Sequence, residues 1–161
     1  MKILMTGHTK GLGKFMHDYF VSNGHEVEGI SRSNGYDLKN QETINYIIAS
    51  ADNFDLFINN TYQFERQLEL VKALQNKIPI VSFGSIASLF SKNVEWNIYG
   101  KYKKELEDYH RELSSAGNKN ILLINITEST IENHPQSIIS TIEHWLENPN
   151  ITLVEFNNDL M

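Results

Sequence analysis

Tyr99 and Lys103 stand four residues apart in a segment, 99–115, that reads as a helix. One helical turn separates them, so both side chains project from one face. An ammonium beside a phenol stabilises the phenolate and lowers its pKa from about 10 toward the neutral range, where it serves as a general acid or base. Taken alone, the pair is also what a solvated helix face presents. A second pattern opens the chain: the apolar run Ile3-Leu4-Met5 leads into Thr6-Gly7-His8-Thr9-Lys10-Gly11-Leu12-Gly13, and an amphipathic segment from Lys14 to Ser22 follows. Strand, glycine-rich turn and helix in that order suit a nucleotide phosphate. Residues without a Cβ let the backbone come close to a pyrophosphate, and the helix start offers unpaired N–H groups and the positive end of its dipole.

These patterns need elements to hold them, and the remaining chain alternates short β-branched runs with longer helical ones. The spacing predicts strands at His25 to Ile30, briefly up to Asp37-Leu38, at Phe54 to Asn59, Ile78 to Phe83, Ile121 to Ile126 and Ile151 to Phe156. Helices are predicted from about Asn40 to Ser50, Phe64 to Asn76, Tyr99 to Ser115 and Pro135 to Glu147, the last with proline in its first turn. Such alternation implies βαβ units. The expected fold is a single α/β domain with a doubly wound, Rossmann-like parallel sheet of about seven strands, its ligand at the switch point beyond the strand carboxyl ends.

Composition narrows the partners. The chain has 161 residues, 40% of them hydrophobic and 21% charged, as expected of one globular domain. A formal charge of -6 gives no general attraction to nucleic acid or anionic lipid, so neither is an expected partner. There is no cysteine, and the six histidines, at 8, 17, 25, 110, 134 and 144, include no pair at metal-ligand spacing, so no metal site is expected. A core strand beginning at Lys2 leaves no room for a signal peptide, and no apolar run reaches the length of a membrane span; a cytoplasmic protein is the expectation.

With these residues in hand, the chain resembles the short-chain dehydrogenase/reductase family. Thr6-Gly7-xxx-Gly11-x-Gly13 is similar to its glycine signature, and Asn59-Asn60-Thr61 resembles its Asn-Asn-Ala-Gly segment with the last two residues replaced. Gly84-Ser85-Ile86-Ala87-Ser88 falls where that family has its catalytic serine, and Tyr99-Gly100-Lys101-Tyr102-Lys103 contains its Tyr-xxx-Lys. The resemblance runs from Thr6 to Lys103. It implies reduction of a small carbonyl compound, or oxidation of the alcohol. Tyr99 gives a proton to the carbonyl oxygen, Ser85 hydrogen-bonds that oxygen, Lys103 also holds the nicotinamide ribose, and the hydride comes from the cofactor. Thr6, Gly7, Thr9, Lys10, Gly11, Leu12, Gly13, Asn59 and Asn60 would join Tyr99 and Lys103 in binding it.

Charge argues the choice of cofactor. An NAD-type site carries an acidic residue at the end of the second strand, whereas this chain has Ser31-Arg32-Ser33 there. A guanidinium flanked by hydroxyls suits a 2′-phosphate, with Lys10 as a second cation, so Arg32 and Ser33 point to NADP(H). Asp37-Leu38 resembles the family's adenine-binding aspartate-hydrophobic pair, though Asp37 is equally placed to be a helix N-cap. His8 either lines the cofactor or is a tolerated loop residue; Trp96 and Asn97 lie where the family often lines its substrate pocket.

The chain also departs from the pattern. The helix between Asn60 and Ser85 is short, and the family's additional catalytic asparagine has no counterpart in it, Asn76 falling at the helix end. After the sixth predicted strand, Asn125-Ile126-Thr127-Glu128-Ser129 replaces the usual Pro-Gly and its long substrate-covering segment. A homodimer or homotetramer that covers the site is expected, as family members commonly associate. Two other readings stay open: a non-catalytic NADP-binding regulator or scaffold, and a sugar-nucleotide epimerase or dehydratase using the same tyrosine and lysine.

Overall fold

The computed structural model describes residues 1–85 and 97–156. Six strands form one sheet in the order β2-β1-β3-β4-β5-β6, between which the chain runs through helices. The chain divides into two compact units, Met1–Val81 and Ser82–Met161.

The first unit begins with β1 (Lys2–Thr6), α1 (Gly11–Ser22) and β2 (Glu26–Ile30). It continues through α2 (Gln41–Ser50), β3 (Leu56–Asn59) and α3 (Arg66–Leu74). Ile3, Leu4, Met5, Leu56, Phe57 and Ile58 are fully buried, the continuous apolar pattern of strands covered on both faces. β1 pairs in parallel with β2 on one side and with β3 on the other, Leu4 standing opposite both Glu28 and Phe57. The winding therefore reverses between β1 and β3, and the crevice beyond their carboxyl ends is the switch point of the sheet.

The brief strand expected before Leu38 does not form, which accounts for six strands against about seven. Ser31 to Tyr36 instead make a turn around a 3-10 segment, Arg32–Asn34. The Asn34 amide donates to the Gly29 carbonyl (2.6 Å), its Oδ1 accepts from the Ser31 N–H (2.9 Å), and Gly35 closes the turn at φ +91°. Short polar side chains that satisfy the backbone locally compete with a sheet ladder, and here they win.

The second unit carries most of β4 (Ile80–Ser85), which straddles the division, then α4 (Asn97–Ser115) and β5 (Ile121–Ile126). A short α5 (Glu128–Asn133), absent from the sequence expectation, precedes α6 (Pro135–Glu147) and β6 (Leu153–Glu155). Thr127 caps α5 by accepting from the Thr130 N–H. Apolar residues at helical spacing, Ile138, Ile139, Ile142 and Trp145, bury one face of α6, as its pattern predicts. Among the described residues, no helix is long and apolar enough to cross a membrane.

Candidate functional site

The first unit contains a cleft of about 720 Å³ at the switch point, formed by the ends of β1, β2 and β3 and the loops that follow them. Of the residues expected to bind a nucleotide, Gly7, Thr9, Lys10, Arg32, Ser33, Asp37, Leu38 and Asn60 line it. The other five expected residues of this unit, Thr6, Gly11, Leu12, Gly13 and Asn59, are not among its lining. Thr6 Oγ1 accepts from the N–H groups of Asn60 and Thr61 (both 3.0 Å), and the Asn60 amide donates to the Gly7 carbonyl (3.2 Å), so the ends of β1 and β3 are tied together. Gly11 and Leu12 start α1, three residues before the expected Lys14, and Leu12 is buried. Gly13 must lack a side chain, because a Cβ there would run into the Gly7 carbonyl oxygen. Asn59 is buried, its amide donating to the Gln67 carbonyl while the Gln67 amide donates to its own (both 2.9 Å).

The cleft is cationic although the chain is acidic. Among the described residues, Lys10, Arg32 and Lys39 line it with one carboxylate, Asp37. That carboxylate does not cap α2, whose N-cap is Asn40; it accepts from the Lys39 N–H (2.9 Å) and holds the turn that presents Lys39. No side-chain acceptor caps α1 at Lys10, and its first turn holds no acidic residue, so its terminal N–H groups stay available for an anion.

Sequence reasoning missed Tyr36, Lys39, Tyr62 and Gln63, which also line the cleft. Tyr36 stacks on Tyr46 at 4.9 Å, and Tyr46 donates to Glu28 (2.5 Å), fixing an aromatic wall on β2 and α2. Its place directly before Asp37-Leu38 was the available signal. His8 fills the space beside Gly29, with its ring 5.4 Å from that of His17, and is not among the cleft residues.

The second unit gathers the expected acid–base residues. Ser85 ends β4, and its side chain hydrogen-bonds that of half-buried Tyr99 in the first turn of α4. One turn on, Lys103 is buried, donates to the Phe83 carbonyl (2.6 Å) and lies 5.6 Å from the centre of the Tyr99 ring. The expectation that Lys103 lowers the Tyr99 pKa is corrected here. Burial holds the phenol above its ordinary value, with the Ser85 hydrogen bond pulling it down, and burial pushes Lys103 itself down to about 7. An ammonium that loses its own charge near neutrality is a weak electrostatic partner for a phenolate.

Asn76 lies beyond the end of α3, whose C-cap is Gln75. The stretch Ile86-Ala87-Ser88 and Trp96 lie outside the described residues. Among the described residues no group of three or more His, Asp or Glu side chains is arranged to hold a metal ion.

No family model matches this chain, and no curated protein does. Solved structures do match its fold. A short-chain dehydrogenase/reductase from Brucella ovis superposes with a TM-score of 0.67 at 19% identity, over 97% of this chain and 99% of that one. Serine dehydrogenase from Escherichia coli gives 0.68 at 20% identity over 97% of each chain. A short-chain dehydrogenase from Sphingobium yanoikuyae in complex with NADPH gives 0.68 at 14%, over 99% and 89%. At these identities the likeness is one of fold, and the fold is the one that short-chain dehydrogenases and reductases share.

Proposed function

We propose that this chain is an NADP-dependent oxidoreductase of the short-chain dehydrogenase/reductase type, interconverting a small carbonyl compound and an alcohol. The observation that carries the reading is the Ser85–Tyr99 hydrogen bond with buried Lys103 one turn along the same helix. A general acid, a hydrogen-bond donor for the carbonyl oxygen and an amine able to gain or lose a proton near neutral pH thus stand together.

The residues of the cleft fit the dinucleotide. Lys10, Arg32 and Lys39 supply positive charge; Arg32 with the Ser33 hydroxyl would hold the 2′-phosphate, the first turn of α1 would take the pyrophosphate, and Tyr36 with Leu38 would give the adenine an apolar wall. When bound, NADPH supplies the hydride. In the reduction direction Tyr99 would give its phenolic proton to the carbonyl oxygen, Ser85 Oγ would donate a hydrogen bond to the same oxygen, and Lys103, which would also hold the ribose hydroxyls, would return a proton toward Tyr99. The high phenol pKa suits proton donation. NAD-bound structures of the same fold make NADH the alternative cofactor, and the cation excess of the cleft favours NADPH.

The reading is tested by titrating the protein with NADPH and NADH while following reduced-nicotinamide fluorescence. NADPH is expected to bind more tightly, and Arg32→Ala to weaken it by roughly 1.5–3 kcal/mol, a factor of about ten to a hundred, while barely touching NADH. Turnover found in a carbonyl screen is expected to vanish in Tyr99→Phe with NADPH affinity kept. Binding of neither nucleotide sinks the reading. A second reading, an NADP-binding regulator without efficient catalysis, is favoured by the position of Asn76 outside α3; NADPH binding without turnover in a broad carbonyl screen would select it.

A further inference from the structure

A buried carboxylate on α4 has no part in the chemistry proposed above. Glu107 is only 7% exposed and sits one turn beyond Lys103, where an apolar side chain would fill the space against the sheet without a desolvation penalty. Its Oε1 accepts from Nε and a terminal nitrogen of Arg111 (3.0 and 2.7 Å), and its Oε2 accepts from the buried Asn125 amide on β5 (3.3 Å). That amide also reaches Glu155 on β6 (3.4 Å). Two carboxylate acceptors on one side fix which way the amide faces, its NH₂ toward them and its oxygen toward β4. There the oxygen occupies the place that a Cβ of Gly84 would take.

Three consecutive residues of β4 are thereby tied, directly or through β5, to three successive turns of α4. Ser85 meets Tyr99, the Phe83 carbonyl meets Lys103, and Gly84 meets Asn125, which holds Glu107. The first two ties involve the proposed reacting groups; the third does not. We propose that Glu107 and Asn125 are positioning residues. Their hydrogen bond, seated on Gly84, sets the rotation and height of α4 on the sheet and so brings Tyr99 to Ser85 and Lys103 to Phe83. The inference rests on the reading of Tyr99 and Lys103 as reacting groups, and it accounts for a buried charge and a side-chain-free strand position with one device.

The test is a ¹³C NMR titration of the lysine side chains in the nucleotide-free protein, with Lys103 assigned by its loss in Lys103→Met. Two variants keep the net charge of the parent: Asn125→Leu, which removes the bond, and the double exchange Glu107→Gln with Asn125→Asp, which remakes it with donor and acceptor reversed. Asn125→Leu is expected to let Lys103 move from its buried place and raise its titration midpoint by about one unit or more, whereas the double variant keeps the parent midpoint. Ile142→Val, buried on α6, lowers stability without moving that midpoint and separates positioning from general weakening. A folded Asn125→Leu protein with an unmoved Lys103 overturns the proposal. If Asn125→Leu does not fold, the double variant decides: a parent-like midpoint supports the device and a shifted one overturns it. None of this needs turnover, so failure of the reductase reading would show separately, as absent catalysis in the parent protein. If the parent turns over, Asn125→Leu is expected to lower kcat at least tenfold.

Discussion

Two buried titratable side chains on α4 leave a signature in the pH dependence of folding. Lys103 is pushed by burial from its ordinary 10.5 to about 7, so between those values the unfolded chain binds more protons than the folded one. Stability therefore rises as pH goes from about 7 toward 10, and the protein is weaker below that window. His110, fully enclosed and pushed from 6.5 to about 4, acts lower on the scale: stability falls as pH drops from about 6.5 toward 4. Thermal melts across pH are expected to show both slopes, with Lys103→Met flattening the alkaline one and His110→Leu the acid one. Unchanged slopes in the variants would refute these assignments. Tyr99, Lys103 and Ser85 were legible from residue type and spacing. The direction of the Tyr99 pKa was not, because burial outweighs a neighbouring amine whose own charge burial suppresses.

At the scale of elements, the glycine segment and α1 work as one piece. Helix α1 starts at Gly11, and its third residue, Gly13, packs against the carbonyl of Gly7, which itself has φ +72°. Gly13→Ala forces the loop and the helix apart. It is expected to destabilise the fold by about 1–3 kcal/mol, read by urea unfolding, and to weaken NADPH binding in the same variant. A neutral outcome in both would mean that the loop adapts. The turn at 31–36 illustrates the limit of pattern reading at this scale. Its residues carry a weak strand pattern, yet Ser31 and Asn34 close local hydrogen bonds that no periodicity registers. Helix α5 was missed for a related reason: its six residues are too few to show a period, and only the Thr127 cap marks it.

For the molecule as a whole, a ligand bound only by the folded chain must raise its stability. At an NADPH concentration about one hundred times Kd the gain is about 2.7 kcal/mol, or roughly 5–10 °C in Tm for a chain of this size. NADPH is expected to produce that shift, NADH a smaller one at equal concentration, and Arg32→Ala to remove the difference between them. Equal shifts would refute the assignment of Arg32. The contrast comes from local charge. The chain is acidic overall, at -6, while among the described residues three cations and one carboxylate line the cleft. By itself the sequence determined the alternation of strands and helices, the glycine turn and the spacing of Tyr99 and Lys103, because these depend on residue type and on the periods of the two backbone conformations. Tertiary structure alone decided that Tyr36 and Lys39 join the cleft, that Gly84 makes room for Asn125, and that Lys103 and Glu107 are buried. Those outcomes depend on which residues meet across the fold and how much water they lose there, and no local spacing encodes either.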